Sequence, residues 1–185
     1  MSKYTLITHF DDNSYQKLYS ILNYDPSERI NHIPYGRMPD DIRKVADTLP
    51  LHITVSSSKM PLNEVMNRLE GLAFRPFDVW IDSIGLSPAK QHSHFLYFKI
   101  KQSEEMDALL NDLFIRIGND KYNPENAKLH ITICISKDKS KILRIKNRIK
   151  QEFIPFKLRI MSLGLYEIWP GALKSIYYGE MLQFE

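Results

Sequence analysis

Alternating hydrophobic and polar residues mark two short segments of the chain that have the same pattern. Residues 51–55 are Leu-His-Ile-Thr-Val, and residues 129–133 are Leu-His-Ile-Thr-Ile. A period of two is typical of a β-strand with one buried face, because successive side chains point to opposite faces. Each segment is therefore predicted to present a histidine and a threonine side by side on one face, while the aliphatic residues between them point into a core.

Other parts of the chain are predicted to be strands or helices from patterns of the same kind. Runs rich in β-branched and aromatic residues favour strands, whereas apolar residues at every third or fourth position favour helices. Ser103 has the side chain of a helix N-cap, and Gly118 is suited to end that helix. We predict strands over about 4–10, 51–56, 77–84, 95–100, 129–135, 156–167 and 175–184, and helices over about 15–22, 61–69, 103–117 and 138–151.

An insertion distinguishes the first half of the chain from the second. The segment 26–50 holds four of the ten prolines and is predicted to be mostly loop, with a short helix over about 40–49. About 27 residues separate the first predicted helix from its motif, against about 12 in the second half. Because only the first half carries this segment, we expect substrate specificity to depend on it.

The chain also contains an internal repeat. Residues 74–86 and 153–165 both begin with Phe-x-Pro-Phe and end with Gly-Leu, and seven of their aligned positions are identical or nearly so. The offset of this alignment is 79 residues and that of the two motif histidines is 78, so one single-residue gap accommodates both matches. The order strand, helix, His-Thr strand, helix, strand therefore occurs twice, which indicates a duplicated unit.

These elements predict an α+β fold. Their order favours antiparallel pairing within each copy of the repeat rather than a regular parallel sheet. We expect residues 1–185 to form a single bilobal domain with two antiparallel sheets and flanking helices, the two lobes being related by a pseudo-two-fold. One motif strand would then lie in each lobe.

The composition is that of an ordinary globular protein and excludes several classes. The 43% hydrophobic content supports a buried core, and the net charge of +3 is too small to indicate bulk binding of nucleic acid. The single cysteine, Cys134, cannot form an intramolecular disulfide, so we expect a reducing, cytoplasmic location. No run of about 18 apolar residues indicates a membrane span, and we expect a monomer with no membrane partner.

Histidine and threonine at these positions have the chemistry that cleavage of a phosphodiester needs. In-line displacement at phosphorus requires a base for the attacking oxygen and an acid for the leaving oxygen on the opposite side. The imidazole pKa lies near 6.5, so His52 and His130 can supply both functions, in either order, with a bell-shaped pH dependence. Thr54 and Thr132 would donate hydrogen bonds to the non-bridging phosphate oxygens. One such motif alone is better explained as an ordinary strand, but two at equivalent points of a repeat indicate a site.

The two motifs, residues 52–55 and 130–133, resemble those of the 2H phosphoesterase superfamily, which comprises 2′-5′ RNA ligase-like and cyclic phosphodiesterase proteins. The resemblance covers nearly the whole chain in the order of its elements. It implies an active-site cleft between two lobes, no metal or other cofactor, and action on RNA-like phosphodiesters, often those with a 2′,3′-cyclic phosphate or a 2′-5′ linkage. The residues that match the family motif are His52, Thr54, His130 and Thr132.

Five further residues are candidates for substrate binding. Aromatic side chains can stack on a nucleobase, and guanidinium groups can bind phosphate. Tyr166 and Trp169 lie on the closing strand and turn of the repeat and rank first among the aromatic residues, whereas Phe95 and Tyr177 are better explained as core or rim residues. The candidates within the insertion are Tyr35, Arg37 and Arg43.

Three functions are compatible with these residues. The first is a metal-independent phosphodiesterase that hydrolyses or transesterifies 2′,3′-cyclic phosphate or 2′-5′ bonds in RNA ends or nucleotides. The second is a hydrolase of a small cyclic nucleotide or oligonucleotide signal, and the third is a non-catalytic module that binds RNA ends. Intact histidines in both motifs favour catalysis, because binding alone would not need proton-transfer groups on both sides of the phosphate.

Overall fold

The structure, a computed structural model, describes residues 3–22, 51–88, 94–118, 122–125, 127–169 and 172–174. Its strands are β1 Lys3–Phe10, β2 Thr54–Ser58, β3 Phe77–Pro88, β4 His94–Lys101, β5 His130–Ser136, β6 Phe156–Trp169 and β7 Ala172–Lys174. Its helices are α1 Asp12–Leu22, α2 Leu62–Leu69, α3 Glu104–Ile117 and α4 Lys139–Glu152. The predicted α+β class is confirmed, whereas the insertion at 26–50 and the strand predicted over 175–184 lie outside the described residues.

The described strands form one antiparallel sheet. Six of them follow the order β2-β1-β6-β3-β4-β5, and the short β7 pairs with the end of β6. The prediction of two separate antiparallel sheets is therefore wrong for these strands. The physical reason is the length of β6, which has 14 residues. Its residues 156–160 pair with β3 and its residues 160–168 pair with β1, so β6 joins the two halves of the sheet.

The strand order has a symmetry that matches the sequence repeat. The repeat makes β1, β2 and β3 equivalent to β4, β5 and β6. If each strand in the sheet is replaced by its equivalent, the same strand order results, read from the opposite edge. At the centre of the sheet, Val79 on β3 pairs with Leu158 on β6. These two residues are equivalent in the repeat, so the order is the one that a two-fold relation between the halves would produce.

One hydrophobic core lies between the helices and one face of the sheet. Buried strand residues such as Leu6, Val79 and Ile131 pack in the same cluster as Leu18 of α1 and Leu110 of α3. Each fully buried aliphatic side chain contributes about 1.5–3 kcal/mol. The alternate residues of the strands point to the opposite face, where they are available for a site.

The helix ends follow the local chemistry of the sequence. The Ser103 side chain accepts a hydrogen bond from the Met106 backbone N–H, and Gly118 ends α3 in the left-handed conformation with φ 69°. Both predictions for these two residues are confirmed. Asp138 caps α4 in the same way, by accepting a hydrogen bond from the Lys141 backbone N–H. None of the described helices is long and apolar enough to cross a membrane.

The central pairing of β3 with β6 predicts where the sheet is most sensitive to mutation. Leu158 is 1% exposed, and Leu158→Ala leaves a cavity at the junction of the two halves. We expect the free energy of unfolding to fall by about 2–5 kcal/mol, measured by urea denaturation. Ile154→Ala is the control, because Ile154 is 76% exposed and its truncation should change stability by no more than about 0.5 kcal/mol. Equal effects of the two substitutions would contradict this account of the core.

Candidate active site

The two His-Thr motifs contact each other through their backbones. Ile53 and Ile131, the middle residues of the two motifs, form an antiparallel bridge. Both side chains are fully buried. Ile131 lies on β5, and Ile53 directly precedes β2; these are the two outermost strands of the six-strand order. The sheet therefore curves until its opposite edges touch, and they touch at the motifs.

This bridge determines the arrangement of the four motif side chains. Residues on either side of an antiparallel bridge normally oppose one another, so we expect His52 to lie towards Thr132 and Thr54 towards His130. The alternation along each strand places these four side chains on the face opposite to the buried isoleucines. All four are half-buried. The structure thus brings together the four residues that the sequence predicts for the site.

Each outer strand has a β-bulge at the last residue of its motif. Val55 is an extra residue in the pairing of β2 with β1. Ile133, its equivalent in the repeat, is an extra residue in the pairing of β5 with β4. A bulge bends its strand and increases the local twist. Both outer strands therefore bend at the same place, next to the point where they meet.

Thr8 of β1 binds the first motif at Ile53, one residue before the regular pairing of β2 with β1 begins. Its backbone N–H donates to the Ile53 carbonyl at 2.9 Å, and its side-chain Oγ1 accepts from the Ile53 N–H at 3.1 Å. Thr8 is fully buried, so these bonds do not compete with water. Both polar backbone groups of Ile53, the residue next to His52, are thereby satisfied.

The ring orientation of His130 is fixed by one hydrogen bond and two aromatic neighbours. Its Nδ1 lies 2.8 Å from the Lys128 carbonyl oxygen. A carbonyl only accepts, so Nδ1 carries the hydrogen and Nε2 is the nitrogen whose protonation can change. The ring lies 5.4 Å from the Phe95 ring and 5.3 Å from the Tyr97 ring, measured between centroids.

Tyr97 is a site residue that the sequence analysis missed. Its ring stacks on that of Phe95 at 4.6 Å, and its hydroxyl shares a hydrogen bond of 3.1 Å with Ser87. Gly85 lies opposite Tyr97, and a Cβ at that position would collide with the ring. The alternation of Phe95 and Tyr97 along β4 places both on the face of the motifs and could have revealed this residue.

The structure describes only some of the predicted substrate-binding residues. Tyr166 is on β6, half-buried, and its hydroxyl lies 3.1 Å from Nε2 of His9. Trp169 is the last residue of β6, where it pairs with Ala172, but its side chain lies outside the described part of the structure. Tyr35, Arg37 and Arg43 also lie outside the described residues.

His9 was not predicted, and its environment differs from that of the motif histidines. It lies on β1 beside Tyr166, with the two rings 6.0 Å apart between centroids. Burial lowers the pKa of His9, because desolvation disfavours the charged imidazole. A neutral His9 at neutral pH can form hydrogen bonds but is a poor general acid.

Two His-x-Thr motifs that are equivalent in a sequence repeat and meet on one face of an antiparallel sheet define the chain as a 2H phosphoesterase. The model of the 2′-5′ RNA ligase superfamily matches residues 25–168. That match covers well over half of the chain, and the protein belongs to this family. No curated protein matches the sequence.

Solved structures with a similar arrangement are known. The structure of Kluyveromyces marxianus Usb1 has 12% sequence identity and a TM-score of 0.47, and the match covers 95% of the present chain and 98% of Usb1. Kluyveromyces marxianus Usb1 with uridine monophosphate has 13% identity and the same TM-score, over 96% of the present chain and 98% of Usb1. Likenesses of this strength carry no information about the substrate of the present chain.

The contacts of Thr8 predict its contribution to stability. Thr8→Val removes Oγ1 and leaves the Ile53 N–H buried without an acceptor, so we expect the free energy of unfolding to fall by about 1–3 kcal/mol in urea denaturation. Thr8→Ser, which keeps a hydroxyl, should retain more stability than Thr8→Val. Thr5→Val is the matched control, because Thr5 Oγ1 is buried with no partner among the described residues. A Thr8→Val variant as stable as the wild type would show that this bond does not hold the motif.

Proposed function

We propose that the protein is a phosphodiesterase that hydrolyses or transesterifies 2′,3′-cyclic phosphate or 2′-5′ phosphodiester bonds in RNA ends or nucleotides. The observation that carries this proposal is the antiparallel bridge between Ile53 and Ile131. In the proposed site this bridge would bring two imidazoles and two hydroxyls to one face. Membership of the 2′-5′ RNA ligase superfamily supports the same class of reaction.

The two histidines have complementary roles in this mechanism. One imidazole takes a proton from the attacking water or hydroxyl as the new bond to phosphorus forms. The other gives a proton to the leaving oxygen as the old bond breaks on the opposite side. One neutral and one protonated ring are therefore needed at the start, and they have exchanged protonation states at the end. For His130 the nitrogen that takes part is Nε2, because Nδ1 donates to the Lys128 carbonyl.

The two threonines bind the phosphate group itself. Antiparallel pairing at the bridge would set each hydroxyl beside the histidine of the other motif, where both could bind a group held between the motifs. Hydrogen bonds from Thr54 and Thr132 to the non-bridging oxygens would strengthen as negative charge builds up in the transition state. With two imidazoles for the protons and two hydroxyls for the charge, the reaction does not depend on a metal ion.

Because the two half-sites are nearly equivalent, residues elsewhere in the cleft must determine which histidine acts as the base. Either histidine could act as the base, because the two motifs are equivalent in the repeat and carry the same pair of side chains. The orientation of the substrate therefore decides which one does. Residues that differ between the two halves of the sheet must provide that orientation.

Substitution of either histidine tests the proposal. We expect His52→Ala and His130→Ala each to lower the rate of cleavage of a 2′,3′-cyclic phosphate or 2′-5′-linked dinucleotide at least about a hundredfold, the usual contribution of a general acid or base. Turnover is measured in the presence of a chelator, which should not reduce the wild-type rate. Thr54→Val and Thr132→Val should have smaller effects, and Thr54→Ser should restore much of the loss.

Two results would contradict the proposal. Near-wild-type turnover in both histidine variants on every substrate that is cleaved would exclude the acid–base assignment. Binding of RNA ends by the wild type without any turnover would instead favour a non-catalytic binding module. Circular dichroism of each variant checks that a lost rate does not reflect a lost fold.

A further inference from the structure

An exposed tryptophan lies on the same face of the sheet as the motifs. Its neighbours along β3, Val79 and Ile81, are buried in the core, so the side chain of Trp80 points to the opposite face. The residue is 44% exposed. A single exposed apolar side chain is ordinary on a protein surface, so the surroundings of Trp80 decide whether it belongs to a binding site.

Two cations and one carboxylate accompany the Trp80 ring. Lys157 lies opposite Trp80 in the pairing of β3 with β6, and its Nζ is 5.5 Å from the centroid of the indole ring. The Asp78 carboxylate accepts a hydrogen bond from Arg159 at 3.1 Å, and it lies 3.8 Å from Nζ of Lys157. Two cations thus share one anion, so this group keeps one uncompensated positive charge on an exposed surface.

A cavity of about 870 Å³ opens beside this group. It lies where β3 extends past β4, because the pairing of these two strands begins only at Trp80 and Lys101. The loop 73–76 and the first turns of α3 form its other walls. Ligand sites in proteins have volumes of roughly 300–1,000 Å³, so the cavity is large enough for a nucleotide.

The equivalent place in the other half of the sheet is closed. Arg159 is the equivalent of Trp80 in the repeat, and its backbone N–H donates to Ser14 Oγ at 2.8 Å. Its carbonyl accepts from the Asp11 backbone N–H at 3.1 Å. The start of α1 therefore covers this point of β6. The cavity beside Trp80 is particular to one half and does not follow from the repeat.

Two lysines lie between the cavity and the second motif. Lys101 lies opposite Trp80 in the pairing of β3 with β4, and Lys99 lies opposite His130 in the pairing of β4 with β5. Both lysines are exposed and alternate with residues that pack on the core, so they share the motif face. The backbones of His130 and Trp80 are separated by two strand spacings and two residues, roughly 12 Å along the sheet.

Acidic side chains limit where a phosphate can lie. Glu105 and Asp112 line the α3 wall of the cavity, and Asp82 is exposed on β3. These carboxylates repel phosphate, but they can accept hydrogen bonds from the amino groups of a nucleobase. Phosphate groups are therefore favoured beside Lys157 and Arg159, and an uncharged base is favoured inside the cavity.

We propose that this cavity binds a nucleotide of a single-stranded RNA whose end lies in the His-Thr site. The inference rests on the proposed function, and it specifies the substrate as an oligonucleotide rather than a small cyclic nucleotide. The base stacks on Trp80, and the adjoining phosphates contact Lys157 and Arg159. Aromatic stacking beside a positively charged track is how proteins bind single strands with little regard to sequence.

Binding of RNAs of two lengths tests the role of Trp80. The probes are an octanucleotide and a dinucleotide, both with a 3′-phosphate, and the readout is Kd by calorimetry. The wild type should bind the octanucleotide at least about tenfold more tightly, and Trp80→Leu should remove about that factor without changing dinucleotide binding. Trp80→Phe, which keeps an aromatic face, should retain more of it. Leu143→Ala on α4 is the matched control, because Leu143 is 37% exposed on the helical side.

The charged residues provide a second test with effects of opposite sign. Lys157→Gln should weaken octanucleotide binding and lower the slope of log Kd against log salt concentration by about 0.7. Asp78→Asn should tighten octanucleotide binding, because it releases two cations from their shared carboxylate. Lys150→Gln, at an exposed position of α4, should change neither quantity. Octanucleotide binding unchanged by both Lys157→Gln and Asp78→Asn would overturn the inference.

Turnover of a dinucleotide separates this inference from the proposed function. A wild type that binds both RNAs equally well, or a Trp80→Leu variant that keeps full octanucleotide affinity, would exclude the binding site in the cavity. Cleavage of a 2′,3′-cyclic or 2′-5′-linked dinucleotide by the same proteins would then leave the proposed function standing, and it also shows that each variant is folded. A wild type that neither binds nor cleaves any of these RNAs would overturn both proposals.

Discussion

The bridge between Ile53 and Ile131 is the contact on which the rest of this structure depends. It joins the two outermost strands of a six-strand order, so it can form only if the whole sheet curves. Bulges at Val55 and Ile133 bend both outer strands beside the contact, and Thr8 holds the first motif in place. A small loss of curvature would separate the two His-Thr pairs. The same four residues could then no longer contact one phosphate.

Equivalent residues of the repeat pair with each other in the sheet, but the residues around the motifs differ between its two halves. Val79 pairs with Leu158, and Ile53 with Ile131, so equivalent residues of the repeat meet at two points of the sheet. This duplication gives two similar half-sites, and the proposed in-line displacement needs a base on one side of phosphorus and an acid on the other. Differences begin outside the motifs, where Tyr166 bonds His9 in one half and Ser87 bonds Tyr97 in the other. In the proposed mechanism the motifs supply the acid and the base, and the residues around them would orient the substrate.

Sequence patterns predicted the local features of the fold well. The second motif strand, the cap at Ser103 and the end of α3 at Gly118 follow from the residues themselves and their near neighbours, whereas β2 begins only at Thr54, after His52, and not at residue 51 as predicted. Alternation along a strand reveals which face is buried, but it does not reveal the partner strand. For this reason the single sheet, created by the long β6, was not predicted. The bulges also depend on pairing between distant strands and have no simple local pattern.

Only part of the candidate site was predicted, because sequence patterns do not reveal which distant residues are in contact. His52, Thr54, His130 and Thr132 stand out because their pattern occurs twice in the sequence. His9 occurs once, on a strand whose neighbours are set by tertiary structure, so its contact with Tyr166 could not be foreseen. Specificity from the segment 26–50 stays a prediction, because that segment lies outside the described residues.

The central claim is that the two motifs form one phosphate site, and NMR of the histidine side chains tests it most directly. In protein with ¹⁵N-labelled imidazoles, His52→Gln and His130→Gln variants assign the two resonances. Titration with a nucleoside 3′-monophosphate should then shift both signals with one shared Kd, and both should saturate at one ligand per chain. A response of only one of these histidines, or two separate dissociation constants, would contradict the claim.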